Sequence, residues 1–188
     1  TKPKEQTALT LVQLRALAKE CGEFQTLVIL AGTTGMRWGE IAALQCKDVS
    51  LLNKTLYVGK AISTGLKGER VLGGTKTHQN RTIPFSKELL PALTLLIENK
   101  NPESHLFQMP GYGTLEYNNF MTRFFRPALE RCNLQGVGFH SLRHTTASLL
   151  ISQGTPITTV SKILGHASTQ MTLDVYGHLY EDDAMTYM

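Results

Sequence analysis

Three cysteines in 188 residues, Cys21, Cys46 and Cys132, are odd in number and too scattered for a disulfide framework. No Cys-x-x-Cys pair occurs, so nothing indicates a structural zinc site. No apolar run approaches the roughly 20 residues that cross a bilayer. The start, Thr1-Lys2-Pro3-Lys4-Glu5-Gln6, is polar and lacks the apolar core of a secretory signal. These absences lead to the expectation of a soluble, cytoplasmic chain with no membrane partner. An initiator methionine is missing as well, from which an excised fragment is expected, without a domain that precedes it. Basic residues also run out: after Lys162 there is no Lys or Arg, while Asp174, Glu181, Asp182 and Asp183 follow.

A hydrophobic fraction of 41% and a charged fraction of 18% describe an ordinary globular protein. The length suits one well-buried core. A net charge of +4 is too weak to diagnose a nucleic-acid partner, but its distribution is uneven. Lys60, Lys67, Arg70, Lys76, Arg81 and Lys87 face only Glu69 in the same stretch. A basic middle of this kind can follow a row of phosphates, and an acidic tail can pack on a basic surface.

The spacing of apolar residues predicts a mainly α domain with a small antiparallel β-sheet, an α+β class. Thr10 is an N-cap for a helix carrying Leu11, Leu14 and Leu17, stopped by Gly22. A buried helix from Phe24 to Ala31 ends near Gly32-Thr33-Thr34-Gly35, and a third begins near Arg37. Residues 55–62, 69–72 and 81–85 read as strands of one sheet inserted at about 55–85, with Pro84 at an edge or end. Ser86 caps the next helix. Residues 114–132 read as one long helix that Pro127 kinks or ends. His140 to Ser152 is helical, Thr155-Pro156 makes an N-cap and first-turn pair, and a short last helix starts at Ser168 and leads to Tyr176. That terminal segment, about 168–188, is expected to be mobile.

Five local patterns carry chemistry. In Phe139-His140-Ser141-Leu142-Arg143-His144, His140 and Arg143 lie three apart and share a helix face near its positive end, a place suited to an anion. In Thr34-Gly35-Met36-Arg37-Trp38-Gly39-Glu40, Arg37 sits at a turn-to-helix junction with Glu40 one turn later to hold it. Lys76 follows Gly73-Gly74-Thr75 in a hairpin region, and His166 follows a helix stop in Leu164-Gly165-His166. Ten residues on, Tyr176 lies in Asp174-Val175-Tyr176-Gly177-His178. Singly, each has an ordinary explanation, such as a packed tyrosine or a solvated lysine.

Taken in order, Arg37, Lys76, His140-x-x-Arg143, His166 and Tyr176 resemble the tyrosine recombinase (phage integrase) family over about residues 9–180. The resemblance implies that family's catalytic-domain fold and a DNA phosphodiester as substrate. It makes Tyr176 the nucleophile of a 3′-phosphotyrosyl intermediate with a free 5′-hydroxyl, religated without metal, ATP or other cofactor. Arg37 and Arg143 would clamp the nonbridging oxygens, since guanidinium keeps its charge throughout. His140 is the expected base, Lys76 the acid for the leaving oxygen, and His166 a phosphate or tyrosine contact. Glu40 and His144 are expected in support, His144 through structural hydrogen bonding. Lys60, Lys67, Arg70 and Arg81 are expected on the DNA. The resemblance further implies double-stranded DNA as partner, a homo-tetramer of the parent protein on that DNA, a monomeric fragment without it, and accessory proteins that set direction. The absent preceding domain would be the family's core-binding domain.

Three other readings compete. His140 and His144 have the i, i+4 spacing of two zinc ligands, but Ser141 stands where a metalloprotease motif needs glutamate. A type IB topoisomerase would use the same tyrosine chemistry to relax supercoils. A DNA-binding module without catalysis is the third, although all six positions hold competent residues.

Overall fold

Thr10 opens the first helix with a reciprocal cap: its hydroxyl accepts the Gln13 N–H (3.2 Å) while the Gln13 side chain accepts the Thr10 N–H (2.9 Å). The computed structural model describes residues 8–65, 69–75, 80–111 and 113–184, side chains at 64 and 181–184 excepted. Helix α1 (Leu11–Glu20) buries Leu14, Leu17 and Ala18. These pack on α2 (Gln25–Thr34), which is apolar on nearly every face because it lies within the core. Gly35 ends α2 in the left-handed conformation, φ 66°, and its N–H closes on the Ala31 carbonyl. A side chain there would also strike Leu164, whose Cδ2 lies 2.5 Å from a Cβ built at position 35. The short α3 (Trp38–Ala43) follows at once.

The single expected sheet is two. Strands β1 (Val49–Ser50), β2 (Thr55–Val58) and β5 (Arg81–Pro84) form one antiparallel sheet in the order β1-β2-β5. Strands β3 (Lys60–Thr64) and β4 (Arg70–Gly74) form a separate ribbon. The division falls at Gly59 and follows burial. Leu56 and Val58 of β2 turn into the core with Ile83, whereas β4 is exposed along its length. Pro84 closes β5, which among the described residues pairs with β2 alone, so its missing N–H leaves no gap in the ladder.

Ser86 accepts the Glu88 N–H and starts a 3₁₀ turn that leads into α4 (Leu90–Ile97). The long helix expected over 114–132 is interrupted. α5 (Tyr117–Phe120) widens to a π turn over Met121–Phe125 before α6 (Arg126–Arg131) resumes. Pro127 in the first turn of α6 has no N–H to give the preceding turn, and the wider winding lets the chain pass it without a break. Phe120, fully buried, meets Phe24, Trp38, Phe124, Phe125 and Phe139 at ring separations of 5.1–6.4 Å.

Three helices complete the fold: α7 (Ser141–Ser152), α8 (Ile157–Leu164) and α9 (Thr169–Ala184). Pro156, not Thr155, is the N-cap of α8, because its extended ψ of 140° delays the first helical residue to Ile157. The last helix is not short. It runs 16 residues, and Tyr176 on it joins Ala147, Ile151, Val160 and Leu164 in a second apolar cluster. Cys21, Cys46 and Cys132 are free thiols. No helix among the described residues is long and apolar enough to cross a membrane.

Candidate active site

Two left-handed helix ends hold the two arginines. Arg143, on the first turn of α7, donates from Nη1 to the Gly35 carbonyl at 2.8 Å. Arg37, the N-cap of α3, donates from Nη2 to the Gly165 carbonyl at 3.3 Å, where α8 ends with φ 67°. Helix C-termini concentrate negative potential, so each guanidinium is steadied by a dipole as well as by a hydrogen bond. Gly165 has a second constraint: a Cβ there would lie 2.8 Å from Arg81 Nη1, so the Arg81 guanidinium rests flat against the backbone.

Glu40 ties this together with a side chain only 1% exposed. Its Oε2 accepts Arg81 Nη2 (2.8 Å) and the Arg37 backbone N–H (2.9 Å), and its Oε1 accepts Arg81 Nη1 (2.9 Å) and Arg37 Nη1 (3.3 Å). Burial by itself would raise the Glu40 pKa. The hydrogen bonds and charge of Arg81, with Arg37 behind them, outweigh it and hold the carboxyl below its ordinary value. Arg81, expected on the DNA, is here engaged inside the protein and lines the same cleft as His166. Its side chain is 10% exposed, paired to Glu40, and its Nε donates to the Ile163 carbonyl at 2.9 Å, so it braces α8 against the sheet. Lys60 and Arg70 remain exposed on the ribbon, Lys60 within 3.4 Å of Gln45. Lys67 and Lys76 lie outside the described residues.

Arg143 is 3% exposed, and among the described residues its Nη2 has no hydrogen-bond partner. Burial first, and then Arg37, pull its pKa down to about 10, which leaves it cationic at neutral pH. Arg37 and Arg81 contact the Glu40 carboxylate and Arg143 lies within its electrostatic reach, so the three guanidiniums outnumber the one negative charge. His140, exposed at the N-terminus of α7, has its pKa lowered by partial burial and by Arg143 and Arg37. His166 pairs through Nδ1 with Thr172 Oγ1 at 2.7 Å, and burial together with Arg143 and Arg37 drives its pKa down to about 4. An open cleft beside it is lined by Asn80, Lys162, His166, Ser168 and Thr169.

Tyr176 packs inside the molecule rather than standing on an exposed tail. It is 4% exposed, and its hydroxyl lies 2.5 Å from His144 Nδ1. Burial pushes the phenol up to about 12, opposed by Arg143. His144 is pushed down to about 4 by burial, His140 and Arg143, so the imidazole that shares a hydrogen bond with the phenol is neutral, and its tautomer sets which of the two donates. The rings of His140 and His144 meet edge-on at 4.8 Å. Among the described residues no group of three or more His, Cys, Asp or Glu is placed to hold a metal ion.

The depressed histidines set an acid limb. Folded His144 and His166 bind a proton only near pH 4, against an ordinary value of 6.5, so between these limits the unfolded chain holds more protons. Stability therefore falls as pH drops through that window. Urea midpoints measured from neutral pH into that range should decrease steadily, and less so in His166→Asn. A flat profile would mean that the histidines are not held neutral.

Arginines, histidines and a buried tyrosine thus gather at the ends and faces of α3, α7, α8 and α9. The chain belongs to the phage integrase family, whose model matches residues 8–183. It is 32% identical over 170 residues to the ICEBs1 integrase of Bacillus subtilis, covering 84% of this chain and 45% of that protein. It is 30% identical over 190 residues to the integrase of Escherichia phage 186, covering 97% and 47%. The chain thus spans about half the length of the curated relatives it matches. The Tn1549 transposon integrase in complex with transposon right-end DNA has the same fold, with a TM-score of 0.84 at 20% identity over 100% of this chain and 66% of that one. The catalytic domain of bacteriophage HP1 integrase is similar in fold with a TM-score of 0.59 at 24% identity, covering 92% of this chain and 88% of that one. The mainly helical body with its small antiparallel sheets is a tyrosine recombinase catalytic-domain fold.

Proposed function

We propose that the chain is the catalytic part of a site-specific DNA recombinase in which Tyr176 attacks a DNA phosphodiester. The observation that carries this is Arg143: a buried guanidinium with one nitrogen unpartnered among the described residues, next to Arg37 and within electrostatic reach of Tyr176. A buried cation left half-satisfied is costly, and it is maintained where an anion completes it. The Tn1549 integrase, a structural neighbour, was solved with DNA.

In this reading the Tyr176 oxygen bonds to phosphorus and the bond to the 5′-oxygen breaks, giving a 3′-phosphotyrosyl link and a free 5′-hydroxyl. Arg37 and Arg143 stabilise the charge that gathers on the nonbridging oxygens, with no rearrangement needed at the moment of reaction. His166, whose Nδ1 is engaged by Thr172, offers its remaining nitrogen to the phosphate, and His140 stands at the positive end of α7 beside it. Lys76 supplies the proton for the leaving oxygen. The covalent link conserves the energy of the broken bond, so a second strand's 5′-hydroxyl can reverse the step without ATP. Lys60 and Arg70 face the duplex. Exchange between two sites engages four copies.

The test is a nicked duplex built from the junctions of the DNA element that encodes the chain, which traps the covalent state. An SDS-resistant adduct whose DNA-bearing peptide contains Tyr176 is expected. No adduct, or one on another peptide, overturns the reading. Arg143→Lys should lower the single-turnover rate by roughly 10²–10³, because one ammonium cannot serve both Gly35 and the phosphate.

A further inference from the structure

His140 is the histidine that the motif singles out as base, yet it is His144 whose nitrogen touches the Tyr176 hydroxyl. We propose that His144 takes the proton from Tyr176 as the tyrosine attacks, a role that rests on the nucleophile reading above. The Nδ1–Oη separation of 2.5 Å places the pair in direct hydrogen-bond contact across two helices, 32 residues apart in sequence. Both groups are shielded from water, His144 at 7% exposure, so solvent does not compete for this proton.

The pair is neutral at rest. With the phenol near 12 and the imidazole near 4, full transfer before attack is unfavourable. Transfer is therefore coupled to bond making: the phenol O–H breaks and the Nδ1–H bond forms while Oη bonds to phosphorus and the 5′-oxygen departs. Oxygen becomes acidic only as it gives its electrons to phosphorus, which ties the loss of the proton to a correctly seated phosphate. The groups that face His144 are His140 at the N-cap of α7, Arg143 on α7 and Tyr176 on α9; of the other helices packed on α7, α2 carries no titratable side chain and α8 carries only Lys162, which is exposed. A phosphodiester anion seated on Arg143 offsets the positive charge that depresses His144, so the substrate itself makes the base more basic. His140 meets the His144 ring edge-on at 4.8 Å and is itself exposed to solvent.

The experiment measures single-turnover cleavage of the nicked duplex by wild type, His144→Asn and His144→Leu. Asparagine can keep an acceptor near the Nδ1 position but cannot take a proton. Both variants should bind the duplex as wild type does and cleave it on the order of 10²–10⁴ more slowly. Their rates should climb with pH as the phenol ionises to solvent, where the wild-type rate is flat above neutrality. Lowering the phenol's own pKa, by installing a difluorotyrosine at position 176, should restore much of the lost rate in His144→Asn. A packing defect would gain nothing from that exchange. Wild-type rate and a flat pH profile in His144→Asn, or no rescue by the fluorinated tyrosine, would overturn the assignment. Failure of wild type itself to form an adduct would instead remove the nucleophile reading, and the two outcomes are distinct.

Discussion

Tyr176→Phe protein should bind the nicked duplex and form no covalent adduct. The substitution removes one oxygen and leaves the ring among Ile151, Val160 and Leu164, so α9 keeps its seat. What changes locally is His144, whose buried Nδ1 loses its partner. Leaving such a group unsatisfied costs about 1–3 kcal/mol, and for a domain of this size each kcal/mol moves the melting temperature by roughly 2–4 °C. Two readouts thus separate: adduct formation vanishes while the melting temperature falls by only several degrees. Tyr180, one turn further along α9, is the control. Its hydroxyl donates to the Thr155 carbonyl at 2.7 Å, away from the arginines, and Tyr180→Phe should leave the adduct intact. An undiminished adduct in Tyr176→Phe would mean that another side chain attacks.

The contrast between these tyrosines shows what a sequence can convey. Local spacing announced the helix starts at Thr10 and Ser86, the turn at Gly35, and the proximity of Arg37 to Glu40, because each depends on residues a few positions apart. The interruption before Pro127 was foreshadowed by the proline, although the π form it takes depends on how the surrounding aromatic rings pack. Long-range pairings were invisible. Arg81 read as a surface cation on a strand, and only the meeting of β5 with α3 and α8 turns it inward onto Glu40 and Ile163. Gly35 and Gly165 read as stops, yet their carbonyls receive Arg143 and Arg37 from segments more than 100 residues away in sequence. The acidic, lysine-free tail read as loose because charge pattern says nothing about the apolar stripe through Tyr176 that packs on α7 and α8.

Glu40→Ala is the substitution expected to damage the fold most, by about 3–5 kcal/mol, because it strands charges that the interior cannot solvate. Arg81 would lose both of its carboxylate contacts while remaining nearly buried, and Arg37 would lose one side-chain and one backbone bond. Three guanidiniums would then face one another without a counter-charge, and the displacement of Arg81 would loosen the end of α8 that carries Gly165 and His166. Glu40→Gln separates charge from shape: it keeps the acceptor for the Arg37 N–H and much of the packing, so its cost should be smaller, while the unneutralised arginines still spread apart. The pH dependence gives an internal check. A carboxylate held below its ordinary value of 4.5 adds stability above that pH and loses it as pH falls through the folded-state value. Wild type should therefore lose further stability as pH falls below 4.5, on top of the histidine effect, and Glu40→Gln should lack that added loss. Equal denaturant midpoints for wild type and Glu40→Ala at neutral pH would show that the carboxylate does not hold Arg37 and Arg81 together. A neutral-pH loss of several kcal/mol, accompanied by a fall in cleavage even in the folded fraction, is the result that ties the stability of this corner to its chemistry.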